Sequence, residues 1–559
     1  MSGPGGALVG VLCAVGILAA AEGGLESAAL PAWWVLGLCT LPHAAALLAR
    51  GSPLARARWR AAVAASPVPL YFVAIAACGW RVWANELAGA GGAGLALPGP
   101  DVLLSLAPFF VLATAAADAS ARLAPLPPAG RAALRALGLR ALACAAGPIL
   151  GLVGATTLLG RSERVRLELV GVGLWYALFF VAALAATAVL LPWWLRRVWD
   201  CESLPAGPAR ELLERTAERA GFRYSSLCVW RTGGLLSNAL IAGLVPRTRV
   251  VLFTDALLAR LAPAELRAVF AHEIGHAARG HAPLFGVMTC AWFMASDLIA
   301  ASVDPAGGSL ALGFLGAALL AWAAAFAWVS RRAELEADLF ASRLAGEGAM
   351  EGAFARLGAG TDPAAEERAS WRHFSPARRV SFLERAAAEP AVGEALGRRM
   401  RRVWLASLAV FCVAGALEVR GLLSDFPAER CAVALRMGRY ERGAQLARGA
   451  DDLPPDLARL VAVIAADRAE LDHPDRSAAA AACAERAGRA LAAGRPRAAL
   501  DWLRLAELAG SAGVVACAEA VRLGSEGRFE AAHAALGGAR GELAGEVAAW
   551  LARAWGGAQ

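Results

Sequence analysis

The chain has 559 residues, 58% of them hydrophobic, and a mean hydropathy of +0.50, well above that of ordinary soluble proteins. These values exclude a string of three or four water-soluble domains and put much of the chain in lipid. The net charge of +8 is carried by arginine alone, in short loops beside apolar runs and without a nucleic-acid motif, so membrane topology accounts for it and nucleic acid is not expected as a partner.

Apolar segments near 6–21, 29–49, 61–79, 102–117, 141–160 and 169–195 are long enough to cross a hydrocarbon layer of about 30 Å. They define an N-terminal membrane domain of six helices over 1–196, with the lipid bilayer as its partner. Arginines cluster after the second segment (Arg50, Arg56, Arg58, Arg60), the fourth (Arg122, Arg131, Arg135, Arg140) and the sixth (Arg196, Arg197). Short loops rich in arginine stay in the cytoplasm. The alternate loops carry Glu22, Glu26, Glu86 and Asp101, which predicts an N-terminus inside and the chain beyond residue 196 in the cytoplasm. The first segment lacks a basic n-region and is expected to be a retained helix. Abundant alanine, glycine and arginine without lysine reads as the coding bias of a GC-rich bacterial genome, so the expected location is a bacterial inner (cell) membrane.

Residues 197–283 predict a compact α+β unit, within a domain expected over 197–400. A helix near 207–220 precedes β-rich runs at 223–231, 235–242 and 248–253, and a second helix begins at Pro263, with Glu265 in its first turn and Gly280 as its stop. On that helix lies His272-Glu273-Ile274-Gly275-His276. Residues four apart share one helix face, so His272 and His276 can aim their imidazoles at one ion, with Glu273 beside it as a general base. A catalytic zinc takes three protein ligands and leaves a position open. His281 does not match the histidine-rich zincin spacing, in which a glycine stands where Arg279 is found. Glu334 is the better third ligand: it lies four residues before Asp338 on a helix-favouring stretch, and Asp338 would accept a hydrogen bond from a ligating imidazole. Apolar segments at 284–303 and 308–329 form a transmembrane hairpin inserted between the two halves of the site. It returns Glu334 to the level of His276. One zinc ion per chain is the expected cofactor.

His272-Glu273-x-x-His276-x-x-x-x-His281 followed by Ser330-Arg331-x-x-Glu334-x-x-Ala337-Asp338 resembles the HtpX and CAAX prenyl endopeptidase family of integral membrane zinc metallopeptidases, which are gluzincins. Asn238-Ala239-Leu240-Ile241 is similar to the strand this family carries ahead of its zinc helix, with Leu240 in place of an aromatic. His373-Phe374-Ser375-Pro376-Ala377-Arg378-Arg379 is similar to its downstream His-Pro-x-x-x-x-Arg element, with the proline displaced. The resemblance covers roughly 200–390. It implies a zincin-like peptidase domain that hydrolyses peptide bonds of protein or peptide substrates, with Glu273 as base and His373 as a donor to the oxyanion. It also implies that substrate adds as an edge strand at Asn238 and Ala239. On the sequence alone, Asn238 serves equally as a residue that only turns the chain.

Residues 401–424 hold an apolar run, 403–419, at the lower limit for a crossing, so this helix either spans or lies along the interface. Residues 425–559 are alanine-rich and helical, and two of the three turns Gly438-Arg439-Tyr440, Gly494-Arg495-Pro496 and Gly527-Arg528-Phe529 lie 33 residues apart, close to the tetratricopeptide period. A tetratricopeptide-like helical region of this kind offers a surface for a protein partner. The expected fold is thus a mainly α polytopic membrane protein with an α+β zincin-like peptidase domain. The expected function is endopeptidase action at the cytoplasmic face, in membrane protein quality control or regulated processing. A receptor-type signalling protease sensing through an extracytoplasmic C-terminal region, and a non-enzymatic scaffold, are the competing readings. His43 and Asp297, inside apolar segments, receive no role.

Overall fold

The computed structural model describes residues 10–18 (except 12), 30–49, 51–88, 99–303, 309–358, 373–450, 453–466, 476–537 and 539–556. The chain divides into two compact units, one of residues 1–158 with 182–416 and one of residues 159–181 with 417–559.

Unit 1 begins with the apolar segments. The first lies mainly outside the described residues, apart from helical turns within 10–18. The second is the 15-residue α1 (Trp34–Leu48), shorter than a full crossing. The third is the pair α2 (Pro53–Ala65) and α3 (Pro67–Ala76), bent by 42° where Pro67 interrupts the hydrogen-bond ladder. After α4 (Trp80–Ala88), the next three are α5 (Pro100–Arg122), α6 (Pro128–Gly160) and, beyond the short α7 (Glu163–Gly171), α8 (Gly173–Val198). Among the described residues, α5, α6 and α8 with two later helices make five that are long and apolar enough to cross a membrane, or six if the bent pair is one span. The arginine-rich loop after α5 is braced by Asp118, which takes Arg122 and Arg135 at 2.7 and 3.3 Å.

A four-stranded sheet follows: β1 (Cys201–Ser203), then α9 (Pro208–Arg219), β2 (Ser226–Trp230), β3 (Ala239–Ala242) and β4 (Val250–Thr254), in the order β1-β2-β4-β3. β2 and β4 are parallel; β1 and β3 pair antiparallel at the two ends. The three strands expected from β-rich runs are present, whereas β1 was not anticipated, because three residues give no periodicity to read. β4 is buried along its whole length, as a central strand covered on both faces should be.

After α10 (Asp255–Arg260), helix α11 (Pro263–Ala278) carries the histidine motif. Pro263 takes the first helical position, and the Glu265 carboxylate accepts from Ala262 N at 2.8 Å, which satisfies an otherwise free backbone donor. Leu266, Phe270 and Ile274 bury one face of α11 on the sheet, with the Phe270 and Phe253 rings edge to face at 5.5 Å. Gly280, at φ +66°, ends the helix in the left-handed conformation that suits glycine. The two segments of the expected hairpin fall in α12 (His281–Val303), which is long and apolar enough to cross a membrane, and α13 (Ser309–Ala345); residues 304–308 lie outside the described residues. α13 is one helix of 37 residues, roughly 56 Å long, so the arm that returns through the apolar region carries Glu334 and Asp338 on without a break. α14 (Ala349–Gly358) and α15 (Pro376–Ala388) follow, and α16 (Pro390–Arg436) contains the apolar run 403–419 inside 47 helical residues.

Unit 2 consists of helices. Its residues 159–181 were expected to belong to the N-terminal membrane domain alone, yet they pack with the C-terminal region: Gly173 N donates to Glu429 Oε2 at 2.8 Å, Trp175 meets Phe426 edge to face at 5.6 Å, and Arg476 pairs with Glu163. From α17 (Tyr440–Ala447) and α18 (Pro455–Ala466) through α19 (Arg476–Ala492), α20 (Pro496–Leu508), α21 (Val515–Ser525), α22 (Phe529–Leu536) and α23 (Glu542–Gly556), small residues dominate the core. The three Gly-Arg turns share one pattern: the arginine N–H of Arg439, Arg495 and Arg528 reaches back to Ala434 O, Ala490 O and Leu523 O at 2.9, 2.9 and 3.0 Å. The eleven cysteines are free thiols; several are buried as small hydrophobes, but Cys13, Cys290 and Cys412 are exposed.

Candidate metal centre

The site forms where α11 crosses α13. Both helices present small residues there, Ala268, Ala271 and Gly275 against Ala333, Ala337 and Ala341, and all but Gly275 have relative exposures of 0%. A Cβ on Gly275 would lie 3.1 Å from Ala337 Cα and 3.2 Å from Ala337 O, so glycine is what allows this approach. Gly275→Val should therefore prise the helices apart, cost about 1–3 kcal/mol of stability, and weaken metal binding by roughly tenfold or more through misplaced ligands. Thermal unfolding and chelator competition check this; unchanged affinity would show that the close contact is dispensable.

The approach brings three ligand atoms together. His272 Nε2 and His276 Nε2 are 3.1 Å apart, and Glu334 oxygens lie 3.6 Å from each. Donors about 2.0–2.2 Å from a tetrahedral ion stand roughly 3.3–3.5 Å from one another. Two imidazole nitrogens and a carboxylate, with Oε2 facing His272 and Oε1 facing His276, fit zinc with its fourth position open. His272 and Glu334 are buried, and His276 is partly so.

The support around the triangle is charged and dry. His272 Nδ1 faces Asp338 Oδ1 at 2.9 Å, and Asp338 is wholly buried. Arg379, from α15, grips Asp338 with two hydrogen bonds of 2.7 and 2.6 Å and reaches Glu334 Oε2 at 3.4 Å. Its guanidinium also sits 4.6 Å from the Phe354 ring centre. Arg379 lies inside the His-to-Arg element of the sequence, where no role was expected of it; the fixed spacing from His373 is the signal that points to it. His373 is half exposed, with Nδ1 3.3 Å from Glu334 Oε1, at the rim of the triangle. His281 stands behind His276, outside the ligand set, with Nδ1 2.8 Å from His276 Nδ1 and Nε2 3.1 Å from Glu336 Oε2. His43 faces Asp118 at 3.7 Å, far along the chain from these groups.

Ionisation follows from these neighbours. Burial alone would discharge His272, but Asp338 and Glu334 hold its proton and push it up to about 10. Burial and the adjacent His272 charge press His276 down to about 3. Glu334 would be raised by burial, yet contacts from His272 and His373 hold it well below the ordinary carboxylate range. Glu273 is only partly compensated: burial pushes it up to about 7 although the His272 and Arg379 charges pull the other way, and Glu334 adds to the rise. Two carboxylates close together are thus driven apart, one kept ionised and one poised to exchange a proton near neutrality.

Glu273 and His276 share a cavity of about 110 Å³ with Ile241, Gly243, Leu244, Arg249, Ala277, Ala282 and Pro283. β3 lies at the end of the sheet, but what reaches this cavity is Ile241, near its C-terminal end, and Gly243 and Leu244 just beyond it. Asn238 and Ala239 stand at its start, where the Asn238 side chain accepts from Ala239 N at 3.0 Å and its carbonyl from Thr254 N at 3.0 Å. The sequence pattern located the strand but not which end meets the site.

A two-histidine helix packed on a small sheet, with a carboxylate delivered by a following helix, is a zincin-like arrangement of the kind metallopeptidases use. Residues 204–386 match the model of peptidase family M48. The chain is 36% identical over 143 residues to the Protease HtpX of Chromohalobacter salexigens, 22% of this chain and 48% of that protein. It is 35% identical over 142 residues to the Protease HtpX of Pseudomonas syringae pv. syringae (22% and 46%), and 33% over 168 residues to that of Ectopseudomonas mendocina (26% and 55%). The chain thus spans about half the length of the curated relatives it matches. Residues 204–386 are thus similar to peptidase family M48, and part of the chain is similar to proteins named Protease HtpX. These matches favour neither the receptor reading nor the scaffold reading.

Proposed function

We propose that this chain is a membrane-embedded, zinc-dependent endopeptidase that hydrolyses peptide bonds at the cytoplasmic face. The observation that carries the reading is the triangle of His272, His276 and Glu334 with separations of 3.1, 3.6 and 3.6 Å beside an elevated Glu273. His272, His276 and Glu334 would hold the ion, which when bound supplies Lewis acidity to an attacking water and to the scissile carbonyl. Asp338, braced by Arg379, keeps the His272 ring oriented. Glu273 accepts the water proton on its carboxylate and passes it to the leaving amine. His373, at the exposed rim, donates to the oxyanion. An extended peptide adds along β3 from Asn238 and Ala239 toward Leu244, held by main-chain hydrogen bonds, with one side chain in the cavity beside Glu273.

The arginine clusters beside α1, α5 and α8 support a cytoplasmic site in a bacterial inner membrane. A helical unit at 425–559 suits a protein partner, and membrane protein quality control is the role that unites these features. The test is metal removal. The purified full chain in lipid nanodiscs should contain one zinc and cleave a casein or model peptide substrate; chelation should abolish cleavage, and stoichiometric zinc should restore it. Cleavage that persists after complete zinc removal would overturn the reading.

A further inference from the structure

His281 is a buried histidine, with 1% relative exposure, that the chemistry above leaves without a task. Gly280, in its left-handed conformation, turns the chain so that this first residue of α12 folds back onto His276. Each of its ring nitrogens then has a neighbour: Nδ1 meets His276 Nδ1 at 2.8 Å, and Nε2 meets Glu336 Oε2 at 3.1 Å.

The contacts fix where the hydrogens are. His276 offers Nε2 to the ligand triangle, so that nitrogen must be bare and the neutral ring carries its hydrogen on Nδ1. Among the described residues the acceptor at that hydrogen is His281 Nδ1, which places the His281 hydrogen on Nε2, facing the Glu336 carboxylate. Donation therefore runs one way, from His276 to His281 to Glu336.

We propose that His281 and Glu336 are the positioning pair for His276, holding its ring orientation and its tautomer as Asp338 does for His272. The imidazole between them has a physical purpose. Glu273, Glu334 and Asp338 already crowd negative charge around the site, and a carboxylate placed directly on His276 would add a fourth. A neutral ring transmits the hydrogen bond and keeps Glu336 one imidazole farther away, where Arg279 Nε lies 3.9 Å from its other oxygen.

The inference rests on the zinc-peptidase reading, and its test separates the two. Zinc affinity of the purified full chain in nanodiscs is measured by competition with a chromophoric chelator, together with the visible absorption of the cobalt-substituted protein. His281→Phe keeps the ring and removes the acceptor; it should weaken zinc binding about 10–100-fold and change the cobalt spectrum. His281→Asn restores an acceptor near the former Nδ1 and should recover most of the affinity. Glu336→Leu leaves the His281 ring in place and should weaken binding by about tenfold. If His281→Phe fails to fold, Glu336→Leu carries the test. Wild-type protein holding one zinc, with the folded variants within twofold of it and spectra unchanged, would overturn the positioning role alone. Wild-type protein that binds no zinc removes the peptidase reading and this pair with it.

Discussion

Glu273→Gln should leave one zinc per chain and lower the rate of peptide hydrolysis by about 10²–10⁴-fold. The glutamine keeps the shape of the side chain but cannot accept the water proton, and the ligand triangle of His272, His276 and Glu334 does not include position 273. The same carboxylate sets the acid side of the pH profile. Its ionised form is the active one, so activity falls as pH drops through its pKa. That pKa is raised to about 7 by burial with Glu334 nearby, and a bound dication would draw it lower, because a positive charge favours the carboxylate. An acid limb with its midpoint at or below about 7, present in the wild type and absent from the residual activity of Glu273→Gln, is the expected result. Metal analysis and initial rates on both proteins settle it; a variant that turns over at the wild-type rate would remove Glu273 from the mechanism.

The second large effect is expected at Arg379. Asp338 is fully buried, and Arg379 is its bidentate partner at 2.6 and 2.7 Å while also facing Glu334. Burial alone would raise the Asp338 pKa; the Arg379 charge, followed by the His272 contact, keeps it ionised. Arg379→Met strands that carboxylate in a dry site, which typically costs about 3–5 kcal/mol. The stranded group should take up a proton, lose its hold on His272 and weaken zinc binding by about 10–100-fold. Arg379→Lys supplies charge without the planar fork and should fall between. Adding Asp338→Leu to Arg379→Met removes the unpaired charge, so stability should recover while zinc affinity does not. Thermal unfolding and chelator competition on the three variants test this, and a melting point for Arg379→Met equal to that of the wild type would contradict it.

The chemistry-bearing residues were legible in the sequence wherever their relationship is local. His272 and His276, and again Glu334 and Asp338, are pairs four residues apart, and helical periodicity alone puts each pair on one face. The apolar runs announced their helices for a similar reason, since the length and hydrophobicity of a continuous stretch decide whether it suits a bilayer. Pro263 and Gly280 marked the ends of the zinc helix through backbone preferences that act within a few residues.

Tertiary structure decided what depends on contacts distant in sequence. Arg379 meets Asp338 across 41 residues, and His281 meets Glu336 across 55, neither with a spacing rule that would announce it. Packing also chose which end of β3 faces Glu273, and gathered residues 159–181 into the unit formed by 417–559. The physical reason is one of range: a ligand pair on one helical turn is set by bond geometry within the chain, whereas its orienting partners are set by how closely whole helices pack, here at Gly275, where a Cβ would lie 3.1 Å from Ala337 Cα.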